Sequence, residues 1–277
     1  MNFFMMAGIF SLFRAIDADS VKRMTYGTLI RRFLAAGVAA GFVFGLWLWL
    51  VGEPVIRAAL AFEETLPSGG PTGPEMFSRS TQLVGGMLAV LVFGVVLAFL
   101  FGTFYTAIRH RIVGRGGDQI AVLTGTGVAF VITAVVPAIK YPGNPPGIGD
   151  PDTVMQRSLA YLTLVIACLT VICVVAATSS RLKDRIDDAT RLAVAVLAAA
   201  AAIWAIMLIW PDTNDVLPDT IPAPLIWSFR VGSLGGLALY WGTLGLLSGW
   251  LLDRVSATSP KLEAPPTRLS PTSTAAG

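Results

Sequence analysis

Six long runs of the sequence contain no Asp, Glu, Lys, Arg or His. They comprise residues 33–51, 84–108, 120–139, 159–178, 192–210 and 231–252. An α-helix rises about 1.5 Å per residue, so about 20 apolar residues cross the hydrocarbon core of a bilayer. Helices suit such runs because backbone groups in lipid must bond within their own segment. The sequence therefore predicts an all-α, polytopic integral membrane protein with six transmembrane helices.

The basic residues alternate between the connections that flank these runs. Of the 20 Lys and Arg residues, 15 lie in residues 1–32, 109–119, 179–191 and 253–277, and the other connections hold five. Loops rich in Lys and Arg stay in the cytoplasm. We therefore expect three out-and-back hairpins in the cell membrane, with both termini cytoplasmic. The net charge of +3 reflects this topology and gives no reason to expect nucleic acid binding.

Three regions follow from this pattern. We expect a cytoplasmic N-terminal segment over residues 1–32, a six-helix transmembrane domain over 33–252, and a disordered cytoplasmic tail over 253–277. The tail is rich in Pro, Ser, Thr and Ala, which cannot bury a core. Residues 3–13 are apolar but too few to span a bilayer. Either they form an interfacial segment, or the native protein starts at Met24 and the residues before it do not belong to it.

The chain lacks the motifs that would mark most catalytic or energy-coupling sites. It has no Gly-x-x-x-x-Gly-Lys-Ser/Thr loop for nucleotide phosphates, no His-Glu-x-x-His and no Cys-x-x-Cys. Its only histidine, His110, stands between Arg109 and Arg111, whose charges oppose a divalent cation. No carboxylate, histidine, lysine or arginine lies inside the uncharged runs, which argues against a proton-coupled pump carried by this chain alone. No convergent acid, base or nucleophile is visible, so we predict that the chain is not an enzyme.

Small residues recur at close-packing intervals in the first and last runs. They are Gly37, Gly41 and Gly45, then Gly232 and Gly236, then Gly245 and Gly249. Such ridges let helix backbones approach closely in lipid. Two interpretations stay open, namely packing inside the bundle and a surface for a partner helix.

An arginine stands near the start of each returning helix, where it opposes the helix dipole. These residues are Arg79, Arg157 and Arg230. Either their long side chains reach the outer head groups, or they pair with carboxylates of the outer connections and fold those connections into a cap.

The connection at residues 136–151 contains five prolines and three glycines. Proline fixes φ and removes a backbone donor, and glycine permits tight turns. The sequence therefore predicts a defined structure there, with backbone carbonyls freed near Pro137. Residues 210–230 have a similar composition, with Pro211, Pro218, Pro222 and Pro224.

The stretch from Pro137 to Pro151, followed by Arg157, resembles the CbtA-type predicted cobalt transporter subunits. Leu217-Pro-Asp followed by Trp227-Ser-Phe-Arg is similar, as is Glu53-Pro54 with the later Glu63-Glu64 pair, and the likeness covers roughly residues 28–254. It implies a membrane subunit for cobalt uptake linked to cobalamin biosynthesis. Cobalt(II) is then the transported ion and no cofactor is bound permanently. The implied partner is a small, single-span membrane subunit that contains histidine.

Carboxylates are the only charged metal ligands that this chain offers, and hard cations favour such oxygens. We take five of the acids of the outer connections as candidate metal-capture groups, namely Glu53, Glu63, Glu64, Asp150 and Asp152. The alternative function is a non-transporting membrane scaffold, which would stabilise a partner membrane protein through its glycine ridges.

Overall fold

Long helices dominate the structure, a computed structural model that describes residues 25–65, 78–113, 117–146, 151–183, 185–213 and 220–258. Six helices are long and apolar enough to cross a membrane, which confirms the predicted number. We number them spans 1 to 6, and they comprise Tyr26–Glu63, Arg79–Ile112, Gly117–Lys140, Val154–Arg181, Asp188–Ile209 and Ala223–Arg254. No strand occurs in the described residues. Each uncharged run lies within one span, except that the fifth run ends one residue beyond Ile209.

Spans 1 and 3 are each interrupted by one π-helical turn. Span 1 consists of an α-helix at Tyr26–Trp47, a π-helix at Leu48–Gly52 and an α-helix at Glu53–Glu63. Span 3 repeats this order with Gly117–Phe130, Val131–Val135 and Val136–Lys140. A proline, Pro54 or Pro137, is the second residue after each π-helix. Proline cannot donate to the turn before it, and a π-helical turn is one way to accommodate the lost bond.

Local polar groups fix several helix starts. Thr25, Ser78 and Asp187 precede spans 1, 2 and 5, and each side chain accepts a hydrogen bond from the backbone N–H three residues later. Such caps satisfy donors that have no partner within the helix. A 3₁₀ turn at Pro151–Thr153 leads into span 4.

The last helix continues to Thr258, past residue 253, where the sequence analysis placed the start of the tail. The Asp253 carboxylate accepts hydrogen bonds from the backbone of residues 118 and 119, and these bonds anchor the final turns. Residues 1–24 and 259–277, which hold the rest of the predicted terminal segments, lie outside the described residues.

The spans pack in two unequal groups. Spans 1, 2, 3 and 6 share one apolar core, with span 1 against spans 2 and 6, and span 3 against span 6. Its fully buried side chains include Phe33, Val122, Tyr240 and Leu244. Spans 4 and 5 pack on each other around Cys168 and reach span 3 through a smaller cluster. Of the three hairpins that the chain connectivity implies, only the first is a closely packed pair of helices within the described residues.

The glycine ridges lie inside the four-helix group. A Cβ atom on Gly41 would lie 3.2 Å from the Cα atom of Leu91, and one on Gly94 would lie 3.1 Å from the Cα atom of Gly41. On span 6, a Cβ atom on Gly249 would lie 2.9 Å from the Cα atom of Gln119. Backbones this close leave no room for a side chain. For these glycines the internal-packing interpretation is confirmed.

The residues that flank the spans make the two ends of the bundle different. The proline-rich end is formed by residues 140–146, 151–153 and 210–213. The basic end is formed by residues 109–113, 117–119, 181–183 and 185–188.

Candidate functional site

Glu53 lies on span 1 near the proline-rich end, directly after the π-helix. It was predicted in a connection, but the helix continues past it and buries it to 5% exposure. Its Oε1 atom accepts hydrogen bonds from Arg57 Nε at 2.8 Å and from Arg79 Nε at 3.1 Å. Its Oε2 atom accepts from Arg79 Nη2 at 2.7 Å. Both carboxylate oxygens are thus engaged, and Glu53 joins span 1 to the start of span 2.

The three span-start arginines differ in their surroundings. For Arg79 the ion pair with Glu53 confirms the pairing interpretation. Arg230 donates from Nε to the Gly143 carbonyl at 3.0 Å and from Nη2 to Asn144 Oδ1 at 3.2 Å. It thus holds the span 3–4 connection through two neutral acceptors, which corresponds to neither of the two interpretations. Arg157 lies beside the same connection and lines a cavity described below.

Of the other candidate metal ligands, three lie in the part of the chain that the structure describes. Glu63 and Glu64 end span 1, with Glu64 exposed, and Asp152 is exposed in the turn before span 4. Asp150 lies outside the described residues. Within the part of the chain that the structure describes, no three His, Cys, Asp or Glu side chains come together in a way that could hold a metal ion. His110 is exposed and accepts a hydrogen bond from Arg111 Nε at 3.3 Å.

One of the carbonyls freed near Pro137 has a partner on another span. In an α-helix the N–H of residue 137 would donate to the carbonyl of residue 133, but Pro137 has no N–H. The Tyr161 hydroxyl of span 4 donates to the Thr133 carbonyl oxygen instead, at 2.6 Å. The Thr133 hydroxyl itself donates to the Ala129 carbonyl at 2.6 Å. The sequence predicted the freed carbonyl, and the structure shows that it joins spans 3 and 4.

A cavity of about 350 Å³ opens beside this contact, at the proline-rich end. It is lined by Tyr141, Pro142, Gly143, Asn144, Val154, Arg157, Ser158, Tyr161 and Arg230. The described lining residues thus carry two positive charges and no negative charge. The Tyr141 hydroxyl donates to the Pro211 carbonyl at 2.5 Å. Its pKa lies above the usual value, first because of burial and then because of the nearby Asp212 charge. Two guanidinium groups make this cavity a poor place for a bare cation.

A buried ion pair lies near the basic end. Arg109 donates from Nη2 to Asp118 Oδ2 at 2.5 Å and from Nε to Asp118 Oδ1 at 2.6 Å. The Tyr105 hydroxyl donates to the same Oδ1 at 2.5 Å. Arg109 is 4% exposed and Asp118 is 2% exposed. Asp253 of span 6 accepts from the backbone N–H of Asp118 at 3.1 Å, so these residues join spans 2, 3 and 6.

This ion pair lies inside two helices, although the uncharged runs themselves hold no charged residue. The uncharged runs stop at residue 108 and restart at residue 120, but the helices that contain them extend further and bury Arg109 and Asp118. A signal was present in the sequence. Asp118 is the only acid in residues 109–119, and a single acid at the start of an apolar helix, opposite an arginine that ends another, is a plausible pair.

Residues 26–253 of the chain match the family described as "Probable cobalt transporter subunit (CbtA)". The matched range begins at the first residue of span 1 and ends one residue before the end of span 6. The comparisons with curated proteins and with solved structures give no match.

Proposed function

Because the chain belongs to the CbtA family of probable cobalt transporter subunits, we propose that it is the multi-span subunit of a cobalt(II) uptake system in the cell membrane. The family match over all six spans carries this proposal. The proposal includes the direction of transport, which is into the cell, and a supply of cobalt to cobalamin biosynthesis. A transporter subunit needs no catalytic group, and the chain is accordingly proposed not to be an enzyme.

The proposed orientation places the proline-rich end outside the cell and the basic end in the cytoplasm. The distribution of Lys and Arg along the chain supports it. Both termini are then cytoplasmic, and residues 33–252 form the transmembrane domain. Cobalt(II) would arrive at the end that holds the candidate acids.

Capture at the outer face is proposed to involve Glu63 and Glu64 together with Asp150 and Asp152. Carboxylates near water attract a hydrated divalent cation without binding it firmly, and Glu64 and Asp152 are exposed. Glu53 differs from this group because two arginines already occupy its carboxylate. It would contribute to capture only after Arg79 moved away, so its main role is to hold spans 1 and 2 together.

A partner subunit is proposed to supply further metal ligands. Imidazole is a common ligand of transition metals, and the single His110 of this chain is exposed beside an arginine. The spans hold mainly neutral oxygens, such as the hydroxyls of Thr124 and Thr126. A small, single-span, histidine-containing membrane subunit would complete the path for the ion.

Cobalt accumulation in cells tests this proposal. Cells that lack their own cobalt uptake would express the chain with and without its candidate partner, and uptake of radioactive cobalt(II) would be followed over minutes. The double change Glu63→Gln with Glu64→Gln should lower the initial rate severalfold at limiting cobalt while protein abundance stays the same. The matched control is Asp187→Asn with Asp188→Asn at the basic end, where Asn still caps span 5.

A membrane scaffold that does not itself transport is the second candidate function. The ion pairs of Glu53 with Arg57 and Arg79 favour it. A carboxylate that is buried and paired with two arginines serves packing better than capture. If uptake depends on the chain but stays unchanged in the Glu63/Glu64 variant, those acids are not the capture site. If uptake occurs without the chain whenever the partner is stably inserted, the scaffold function replaces the transport function.

A further inference from the structure

The cavity at the proline-rich end has the properties of a phosphate site. It places Arg157 and Arg230 on one concave surface with the side chains of Asn144 and Ser158. Guanidinium groups bind phosphate oxygens through paired N–H donors, and hydroxyl and amide groups complete such sites. Arg230 is already oriented by its bonds to Gly143 and Asn144, so little side-chain freedom is lost when an anion binds.

The size and surroundings of the cavity favour a lipid over a free anion. Its volume of about 350 Å³ lies within the usual range for sites that hold small organic molecules. Val154 and Tyr161 line it and are also exposed on span 4, at 51% and 41%. Leu159 and Leu162 continue this exposed apolar surface along span 4. An acyl chain can therefore lie along span 4 while a head group occupies the cavity.

We propose that this cavity binds the phosphate group of an anionic phospholipid, with Arg157 and Arg230 as its charged ligands. The location suits such a ligand, because the cavity lies where spans 3, 4 and 6 end and the polar connections begin. Head groups of the bilayer lie at this level. The bound lipid would hold span 4 to span 6, which otherwise belong to different packing groups. The proposal does not depend on cobalt transport.

Thermal unfolding of the purified chain in detergent tests it. Phosphatidylglycerol, phosphatidylcholine and inorganic phosphate would be titrated separately, and the midpoint shift would give an apparent affinity for each. We expect phosphatidylglycerol to stabilise the protein at the lowest concentration. Arg157→Gln and Arg230→Gln should each weaken that effect about tenfold or more. Arg181→Gln is the matched control, since Arg181 is exposed at the basic end.

The other outcomes distinguish a lipid phosphate from a free phosphate ion, or they reject the site. If inorganic phosphate alone gives the full effect and both arginine variants lose it, the ligand is a free oxyanion and the lipid is rejected. If both variants respond to phosphatidylglycerol as the unmodified protein does, the proposal is overturned. Should either variant fail to fold, Ser158→Trp fills the cavity from an exposed position and leaves both charges in place. An unchanged lipid response in that variant would equally overturn the proposal.

Discussion

The Tyr161 hydroxyl donates a hydrogen bond of 2.6 Å to the Thr133 carbonyl oxygen, four residues before Pro137. This contact supplies from span 4 the donor that proline removes from span 3. An unsatisfied carbonyl in lipid would be costly, since no water is present to replace the bond. The pair therefore explains how a proline is tolerated within span 3, and why the small group of spans 4 and 5 is attached to the larger group at this point.

Removing the hydroxyl should destabilise the protein, and removing the proline should reverse the effect. We expect Tyr161→Phe to lower the free energy of unfolding by about 1–3 kcal/mol, because the Thr133 carbonyl loses its donor. In the double variant with Pro137→Ala, the new N–H can donate to the same carbonyl. Unfolding in mixed detergent and lipid micelles would measure the coupling. Strict additivity of the two single changes would contradict the exchange of donors.

The close contact between spans 1 and 2 should not tolerate a side chain at Gly41. Its Cβ atom would lie 3.2 Å from the backbone of Leu91, so Gly41→Leu must separate the helices. Overpacking costs about 1–3 kcal/mol or more, which should appear as a lower yield of monodisperse protein and a lower melting temperature. Gly127→Leu is the control, since a Cβ atom there meets nothing within 4 Å. Equal behaviour of the two variants would show that the contact does not govern stability.

Breaking the buried ion pair should be more damaging than removing it. Asp118→Asn removes the carboxylate charge that faces the buried Arg109 in this pair, and we expect a loss of about 3–5 kcal/mol in unfolding free energy. The double variant Arg109→Met with Asp118→Leu should recover much of that loss, because no buried charge remains. The exposed pair of Arg191 and Asp188 offers a comparison, since Asp188→Asn should cost about 0.5 kcal/mol or less. A double variant as unstable as Asp118→Asn would assign the effect to packing.

The predicted orientation can be checked by labelling single cysteines in a background where Cys168 and Cys173 are replaced. A cysteine at position 63 or 215 should react with an impermeant reagent added to intact cells. A cysteine at position 184 or 277 should react only after permeabilisation, because its connection belongs to the Lys- and Arg-rich set. Reaction of position 184 from outside would invalidate the predicted topology.

Several features of the candidate site could be read from the sequence, and others could not. Pro137 predicted a freed carbonyl in the preceding turn, because every proline lacks a backbone N–H. Nothing near it in sequence indicated Tyr161 as the new donor, since 28 positions separate Thr133 from Tyr161. Glu53 was recognised as a notable acid. Its burial between two arginines depended on span 1 continuing as a helix, which the hydrophobic run ending at residue 51 did not indicate.

The sequence by itself determined the number of spans and the apolar run that each of them contains. A bilayer imposes those on every segment separately, since each segment must satisfy its own backbone across a fixed thickness. Only the tertiary structure decided that spans 1, 2, 3 and 6 form one core, and that Arg109 meets Asp118 inside it. In lipid both the interior and the surroundings of a bundle are apolar, so the hydrophobic pattern of a span cannot mark the face that packs. Packing partners are chosen by backbone approach and by a few polar contacts, and these exist only once the helices have come together.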